Sequence, residues 1–314
     1  MNSIMTQSSE NKPAINVQRV YRLPNGEWSD VSENADRSLY YLAYERKYTP
    51  GGHLLEETEW DENGEVVQKT VNHYDEKEYL VLHEHFEGEY LAEKMSYAYN
   101  DKGIMIRETR DFEEGYPVHT IYEYNDDGTL REKRTDDDEG ELERRETFVW
   151  HPEWKDKLIR HEVYDEEDKL TLEEENEWEL RDGEVKAKQL IVRDHSLGTY
   201  RKTVFFNPKE REDHIAYVTY NEKDKVIEIF RVFHDEKMRE TEERSESVNA
   251  SDNYVMLYSY DDNDRVTEQE HRQDDKIISK HIRSYNEEGY PLYHAFKSIN
   301  RGIFVDYFEY EYYS

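Results

Sequence analysis

The sequence predicts an all-β fold: an antiparallel meander of about twenty strands, made of repeated β-hairpins in a curled or spiralling sheet. Three observations carry this. One phrase returns along the chain, as "YEYNDDGTL" from Tyr122, "YAYNDKGIM" from Tyr97 and "YSYDDNDRV" from Tyr258. Its flanks alternate with a period of two, so Tyr122 shares a strand face with Tyr124, Tyr97 with Tyr99, and Tyr258 with Tyr260. Turn signals fall roughly every 12 residues, which leaves strands of about eight.

Turn chemistry explains the phrase. A three-residue hairpin loop is commonly a type I turn followed by one left-handed residue that makes a G1 bulge. With Asp126, Asp127 and Gly128 in the loop, Asn125 faces Thr129 and Tyr124 faces Leu130. Glycine sits where φ is positive. The leading Asn or Asp accepts from a backbone N–H two residues on, and the aromatic and aliphatic residues become a cross-strand pair.

Taken in order, residues 1–15 read as a disordered polar tail and residues 16–314 as one continuous repeat body, because no Pro/Gly/Ser linker divides it. Loose copies of the turn start at Tyr48, Tyr74 and Tyr285. Clear ones are Trp60-Asp61 with Gly64, Tyr99-Asn100 with Gly103, Tyr124-Asn125 with Gly128, Tyr164-Asp165 with Asp168, Tyr220-Asn221 with Asp224, and Tyr260-Asp261 with Asp264. Weaker turns fall midway, near Phe86, Phe112 and Asp136. The stretch 171–215 is less regular. It carries its own Asp182-Gly183 turn, and "EEENEWE" leaves a helix over Leu172–Trp178 as the alternative. The terminal "IFVDYFEYEYYS" is aromatic on both faces, as expected of a covered strand and not of a free edge.

Composition bounds function. Of 314 residues 35% are hydrophobic and 37% charged. The 27 Tyr, 10 Phe and 5 Trp supply a buriable surface that a disordered chain lacks. The net charge of −33 repels nucleic-acid phosphates and anionic lipid and favours a basic protein partner. With no cysteine, thiolate metal sites and Cys nucleophiles are excluded. The N-terminal stretch lacks the cationic start and apolar core of a secretory signal, and no apolar run is long enough for a membrane helix. Charged strand faces argue against an outer-membrane barrel. The expected location is cytoplasmic, where the "NAS" sequon at Asn249 has no role.

The chain contains no nucleophile elbow, phosphate loop, HExxH or dinucleotide fingerprint, and no cofactor is expected. An EF-hand register with Gly128 at the sixth position puts Arg134 where the bidentate acid belongs, so it fails. His83 and His85 share a strand face and would need His73 or a neighbouring carboxylate to hold a metal; as a pair they read as a wet face, and no metal is assigned. Paired carboxylates suit a hydrolase, but 75 acids make proximity in sequence uninformative.

The quoted phrases resemble the YD-repeat, or Rhs-type, family, whose pattern is Tyr-x-Tyr-Asp-x-x-Gly-x-Leu, with copies spread over residues 48–292. The resemblance implies a non-catalytic, spiralling β-wall, which in large members encloses a toxin domain. This chain departs from the pattern: the Arg after the turn glycine survives only as Arg265, Asp often replaces Gly, and no self-cleaving core or toxin tail is visible. The expectation is therefore a non-enzymatic binder of a basic protein, in an immunity, chaperone or assembly role. Tyr97, Tyr99, Tyr122, Tyr124, Tyr258 and Tyr260 are the candidate contact residues, or else a purely structural ladder. Carbohydrate recognition by an aromatic groove and a carboxylate-dependent hydrolase are the alternatives.

Overall fold

In a computed structural model, which describes residues 14–24, 36–113, 115–299 and 301–313, the chain forms 22 strands. They are β1 (Ile15–Leu23), β2 (Tyr41–Tyr48), β3 (Leu54–Trp60), β4 (Val66–Tyr74), β5 (Leu80–Glu87), β6 (Tyr90–Tyr99), β7 (Met105–Phe112) and β8 (Val118–Tyr124). Next come β9 (Leu130–Asp136), β10 (Leu142–Trp150), β11 (Leu158–Tyr164), β12 (Leu170–Arg181), β13 (Glu184–Asp194), β14 (Thr199–Phe205) and β15 (Ile215–Tyr220). The last are β16 (Val226–His234), β17 (Glu240–Ser247), β18 (Tyr254–Tyr260), β19 (Val266–Gln273), β20 (Lys276–Tyr285), β21 (Pro291–Ser298) and β22 (Arg301–Tyr312). Most of the expected tail lies outside the described residues, but Ile15 already pairs with Tyr312. The helical alternative over Leu172–Trp178 is wrong: this segment is strand in the β12–β13 hairpin, turned at Asp182 and Gly183, both with positive φ.

The repeated turn forms as its chemistry requires. The Asn125 N–H donates to the Thr129 carbonyl at 2.8 Å, the Gly128 N–H to the Asn125 carbonyl at 2.9 Å, and Tyr124 faces Leu130. At Asp61, Asp75, Asn100, Asp165, Asn221 and Asp261 one side-chain oxygen accepts the N–H groups both two and four residues on. Asn125 departs from this rule: its amide donates to Thr129 Oγ1, and Asp127 takes the Thr129 N–H. The left-handed position holds Gly103 and Gly128, and Asp at 168, 224 and 264. Glu78 and Met238 also occupy it, a conformation that costs such residues about 1–2 kcal/mol. That cost is why the "HDEKMRE" turn went unread in the sequence.

Each strand pairs antiparallel with its neighbours in sequence, and β1 pairs with both β2 and β22. The sheet therefore closes into a β-barrel. This corrects the expected open curl or spiral: the aromatic terminal strand is a seam, bonded to β21 on one side and β1 on the other. The most enclosed residues lie close to this seam, with Tyr293, Ala295 and Val305 almost fully buried and Val20 and Ala43 nearby. Elsewhere buried residues are scattered one or two to a strand, as at Val163, Val218, Val232 and Ser245, and most positions are only partly covered. The chain exposes 19966 Å², against about 14,000 Å² for a compact globule of this mass. A closure of 22 strands is too wide for side chains to fill, so both wall faces stay wet.

Those faces differ. Following the register around the barrel, one face carries Tyr74, Tyr97, Tyr99, Tyr122, Tyr124, Tyr258, Tyr260 and Tyr285 and is named the tyrosine face; the opposite one is rich in Arg, Lys and Glu and holds the turn aromatics Trp60, Tyr164 and Tyr220. On β6 and β8 the tyrosine-face residues are half-buried or buried, whereas Lys94, Ser96, Ala98, Ile121 and Glu123 opposite are exposed. Neither face is the continuous apolar band that contact with lipid requires.

Candidate partner-binding face

The Tyr-x-Tyr pair splits into two roles. The second aromatic locks the hairpin. The hydroxyls of Tyr74, Tyr99, Tyr124, Tyr260, Tyr285 and Tyr310 donate to the carbonyls of Leu54, Leu80, Met105, Glu240, Val266 and Pro291, at 2.6–2.8 Å. Trp150 and Trp178 do the same through Nε1, to Leu130 and Leu158. Each acceptor opens the strand that precedes the lock's own strand in the chain, so every lock closes the same end of a hairpin. The sequence signal was present as an aromatic residue 19 or 20 positions after the start of an earlier strand, which reads as periodicity until the pairing is known.

The first tyrosine faces carboxylates. Tyr122 donates to Glu108 at 3.4 Å, and Tyr97 lies directly across from the same Glu108. Tyr217 and Ser245 donate to Glu228 at 3.2 and 3.1 Å, and Tyr258 lies on the same face as Glu243, diagonal to it across the β17–β18 pairing. Tyr44 donates to Glu59 at 2.8 Å. Burial, reinforced by Glu108, pushes the Tyr122 hydroxyl up to about 12; burial also raises Tyr217 and Tyr258. Burial, reinforced by Glu240, raises the Glu243 carboxyl. Among the described residues, Glu59, Glu108, Glu228 and Glu243 form no ion pair with a cationic side chain. The bonded partners of Glu59, Glu108 and Glu228 are hydroxyls, which stabilise a carboxylate less than a cation does.

Elsewhere on the tyrosine face Glu57, Glu93 and Glu146 take Arg46, Arg110 and Arg144, and many acids on the opposite face are matched with cations. Arg19 meets Glu45 at 2.7 Å, and Lys47 and Lys69 hold Glu56 at 2.8 and 2.9 Å. Arg193 bridges Glu173 and Glu175 at 2.9 and 2.8 Å, with Arg160 also on Glu173. Glu246 takes Arg231, and Glu268 takes Lys280. Much of the charge on that face is paired in this way, although among the described residues Glu309 and Asp111 are not. The tyrosine face holds half-buried negative charge that the chain does not neutralise.

All six candidate tyrosines thus lie on one face, but in two patches, β6–β8 and β18, and they are not equivalent. Tyr99, Tyr124 and Tyr260 have their hydroxyls engaged as locks, leaving Tyr97, Tyr122 and Tyr258 beside the carboxylates. Sequence reasoning missed Glu108, Glu228 and Glu243, since nothing in a list of 75 acids distinguishes them. The histidines do not converge. His83 bonds Asn72 Oδ1 at 2.8 Å, while His73 points to the opposite face with Glu84. Among the described residues no group of three or more His, Asp and Glu is placed to hold a metal.

No family model and no curated protein matches the sequence. Among solved structures, the chain is similar to a porin-like protein from Bacteroides uniformis, at 12% identity and a TM-score of 0.32, covering 96% of this chain and 99% of that one. It is also similar to TcdB2-TccC3-TEV, at 10% identity and a TM-score of 0.26; 85% of this chain is covered, spanning 18% of the other. A porin-like protein from Bacteroides vulgatus gives 9% identity and a TM-score of 0.24 over 95% of this chain and 99% of that one.

Proposed function

We propose that this is a non-enzymatic, acidic barrel of YD-repeat type that binds a basic protein through its tyrosine face, in an immunity, chaperone or assembly role in the cytoplasm. The observation that carries the reading is the set of half-buried carboxylates Glu108, Glu228 and Glu243, each beside tyrosine rings and none paired with a cation among the described residues. A lysine or arginine from a partner completes each of them: the carboxylate gains a charged donor, and the adjacent ring offers its face to the same cation. The net charge of −33 speeds the encounter and makes it sensitive to salt. The turn chemistry supports the repeat assignment, and charge on both wall faces supports a protein surrounded by water.

The test is affinity capture by the full chain from its native cells at low salt, with mass spectrometry of what elutes as salt rises. The expected product is a basic protein released by salt. Retention of no basic protein, or release indifferent to salt, overturns the reading.

A further inference from the structure

We propose that Arg283, His281 and His294, side by side on the tyrosine face near the seam, form a binding site for an oxyanion, a carboxylate or a phosphate. The three are neighbours by register: Arg283 lies directly across from His294, and His281 is two residues before Arg283 on the same strand. All are half-buried and so reachable from solvent. Among the described residues Arg283 has no carboxylate partner, in a chain with 75 acids; it only reaches Gln269 Oε1 at 3.5 Å. The imidazoles are parallel, with centroids 5.2 Å apart, and His281 Nδ1 meets His294 Nε2 at 2.9 Å. One hydrogen serves that bond. His281 Nε2 and His294 Nδ1 are left over, and a proton taken from solvent makes both of them donors.

The surroundings supply no anion of their own. On β19 Gln269 faces His281, and on β21 Phe296 does so with its ring tilted against the imidazole, centroids 4.5 Å apart. From β22, Asp306 faces His294, but Arg22 of β1 holds it with two bonds at 2.7 and 2.9 Å. That leaves Arg283 as the excess charge. Burial, then repulsion from Arg283, holds both imidazoles down to about 4. An oxyanion seated between Arg283 and the imidazoles reverses the sign of that field, so its binding carries a proton in with it. The site is a positive island in a negative wall, and it selects ligands opposite in sign to the basic partner.

The probe is sulfate, whose charge is constant between pH 5.5 and 7.5, followed by acetate as the carboxylate arm. Binding is read from the imidazole signals of the full chain by NMR. The expected result is a saturable shift of His281 and His294, at least about tenfold tighter at pH 5.5 than at 7.5. Arg283→Gln abolishes it, whereas Arg201→Gln, at an exposed arginine on β14 of the same face, does not. Sulfate bound more tightly than acetate assigns the site to a phosphate group, and the reverse order to a carboxylate. Unmoved imidazole signals in the wild-type chain, or a response that survives Arg283→Gln, overturn the proposal. This readout does not involve a basic partner, so it stands or falls apart from the proposed function.

Discussion

The two faces of one wall, built from alternate residues of the same strands, solve the problem of a thin core in opposite ways. The charged face matches Arg and Lys to Glu in ladders such as Arg19–Glu45 and Arg193–Glu173–Glu175, so much of its charge is paired within the face. The tyrosine face uses hydroxyl-to-carbonyl locks and leaves several carboxylates without cations. The difference teaches that net charge is a poor guide to where a chain this acidic binds. The informative quantity is charge left unmatched where it is half-buried beside aromatic rings, as at Glu108, Glu228 and Glu243.

The comparison breaks most severely at the seam. There the tyrosine face makes its own buried ion pair, and Asp306→Ala leaves the Arg22 guanidinium half-buried without its partner. The expected loss is about 3–5 kcal/mol in denaturant unfolding. A small loss would mean that the seam is not closed in solution.

A matched pair of glycines isolates packing on the tyrosine face. Gly103 and Gly128 both have positive φ, but an added Cβ at Gly103 meets the Tyr79 hydroxyl at 2.0 Å, whereas Gly128 has nothing within 4 Å. Gly128→Ala is expected to cost about 1–2 kcal/mol for the backbone alone. Gly103→Ala adds overpacking against Tyr79, which stacks on Tyr99, for a total of about 2–4 kcal/mol. Equal losses would remove Tyr79 from that corner.

A third pair sets lock against ladder. Tyr124→Phe removes one bond to the Met105 carbonyl and is expected to cost about 1 kcal/mol at any salt concentration. Arg193→Gln on the charged face is expected to cost under about 1 kcal/mol, falling toward zero in high salt. Thermal unfolding at two ionic strengths separates them.

The smallest effect sharpens the comparison by pH. On the tyrosine face His161 is clamped between Glu146 at 2.9 Å and Glu174 at 3.2 Å. The Glu146 bond raises the imidazole, and the His161 bond brings Glu146 down to about 2. A raised histidine stabilises the fold below its unfolded value near 6.5 and loses that contribution as pH climbs through the folded value. A lowered glutamate stabilises above its unfolded value near 4.5 and loses that contribution as pH falls toward 2. The clamp is strongest between about pH 4.5 and 6.5. The stability gap between wild type and His161→Gln should therefore be widest there and narrow above neutrality. A gap that grows with pH would contradict the assignment.

Much of this architecture was legible, because the hairpin instruction is local. Asp61, Asn100, Asp165, Asn221 and Asp261 announce their turns through side chains that bond the backbone within four residues. Met238 hid a turn because nothing in its side chain favours a left-handed backbone. Closure was illegible for the opposite reason: β1 and β22 meet across the whole chain, and a repeat pattern specifies only the next neighbour. The candidate face was half legible. Period-two alternation put the six tyrosines together, but which glutamates lack a cation depends on the strands beside them.

The most direct measurement compares two triple variants that change net charge equally. One is Glu108→Gln, Glu228→Gln, Glu243→Gln on the tyrosine face; the other is Glu45→Gln, Glu175→Gln, Glu246→Gln on the charged face. Each is titrated with the captured basic protein at constant salt. The account predicts binding weakened by about tenfold or more for the first and within about twofold of wild type for the second. Equal losses from both, the signature of net charge alone, would contradict it.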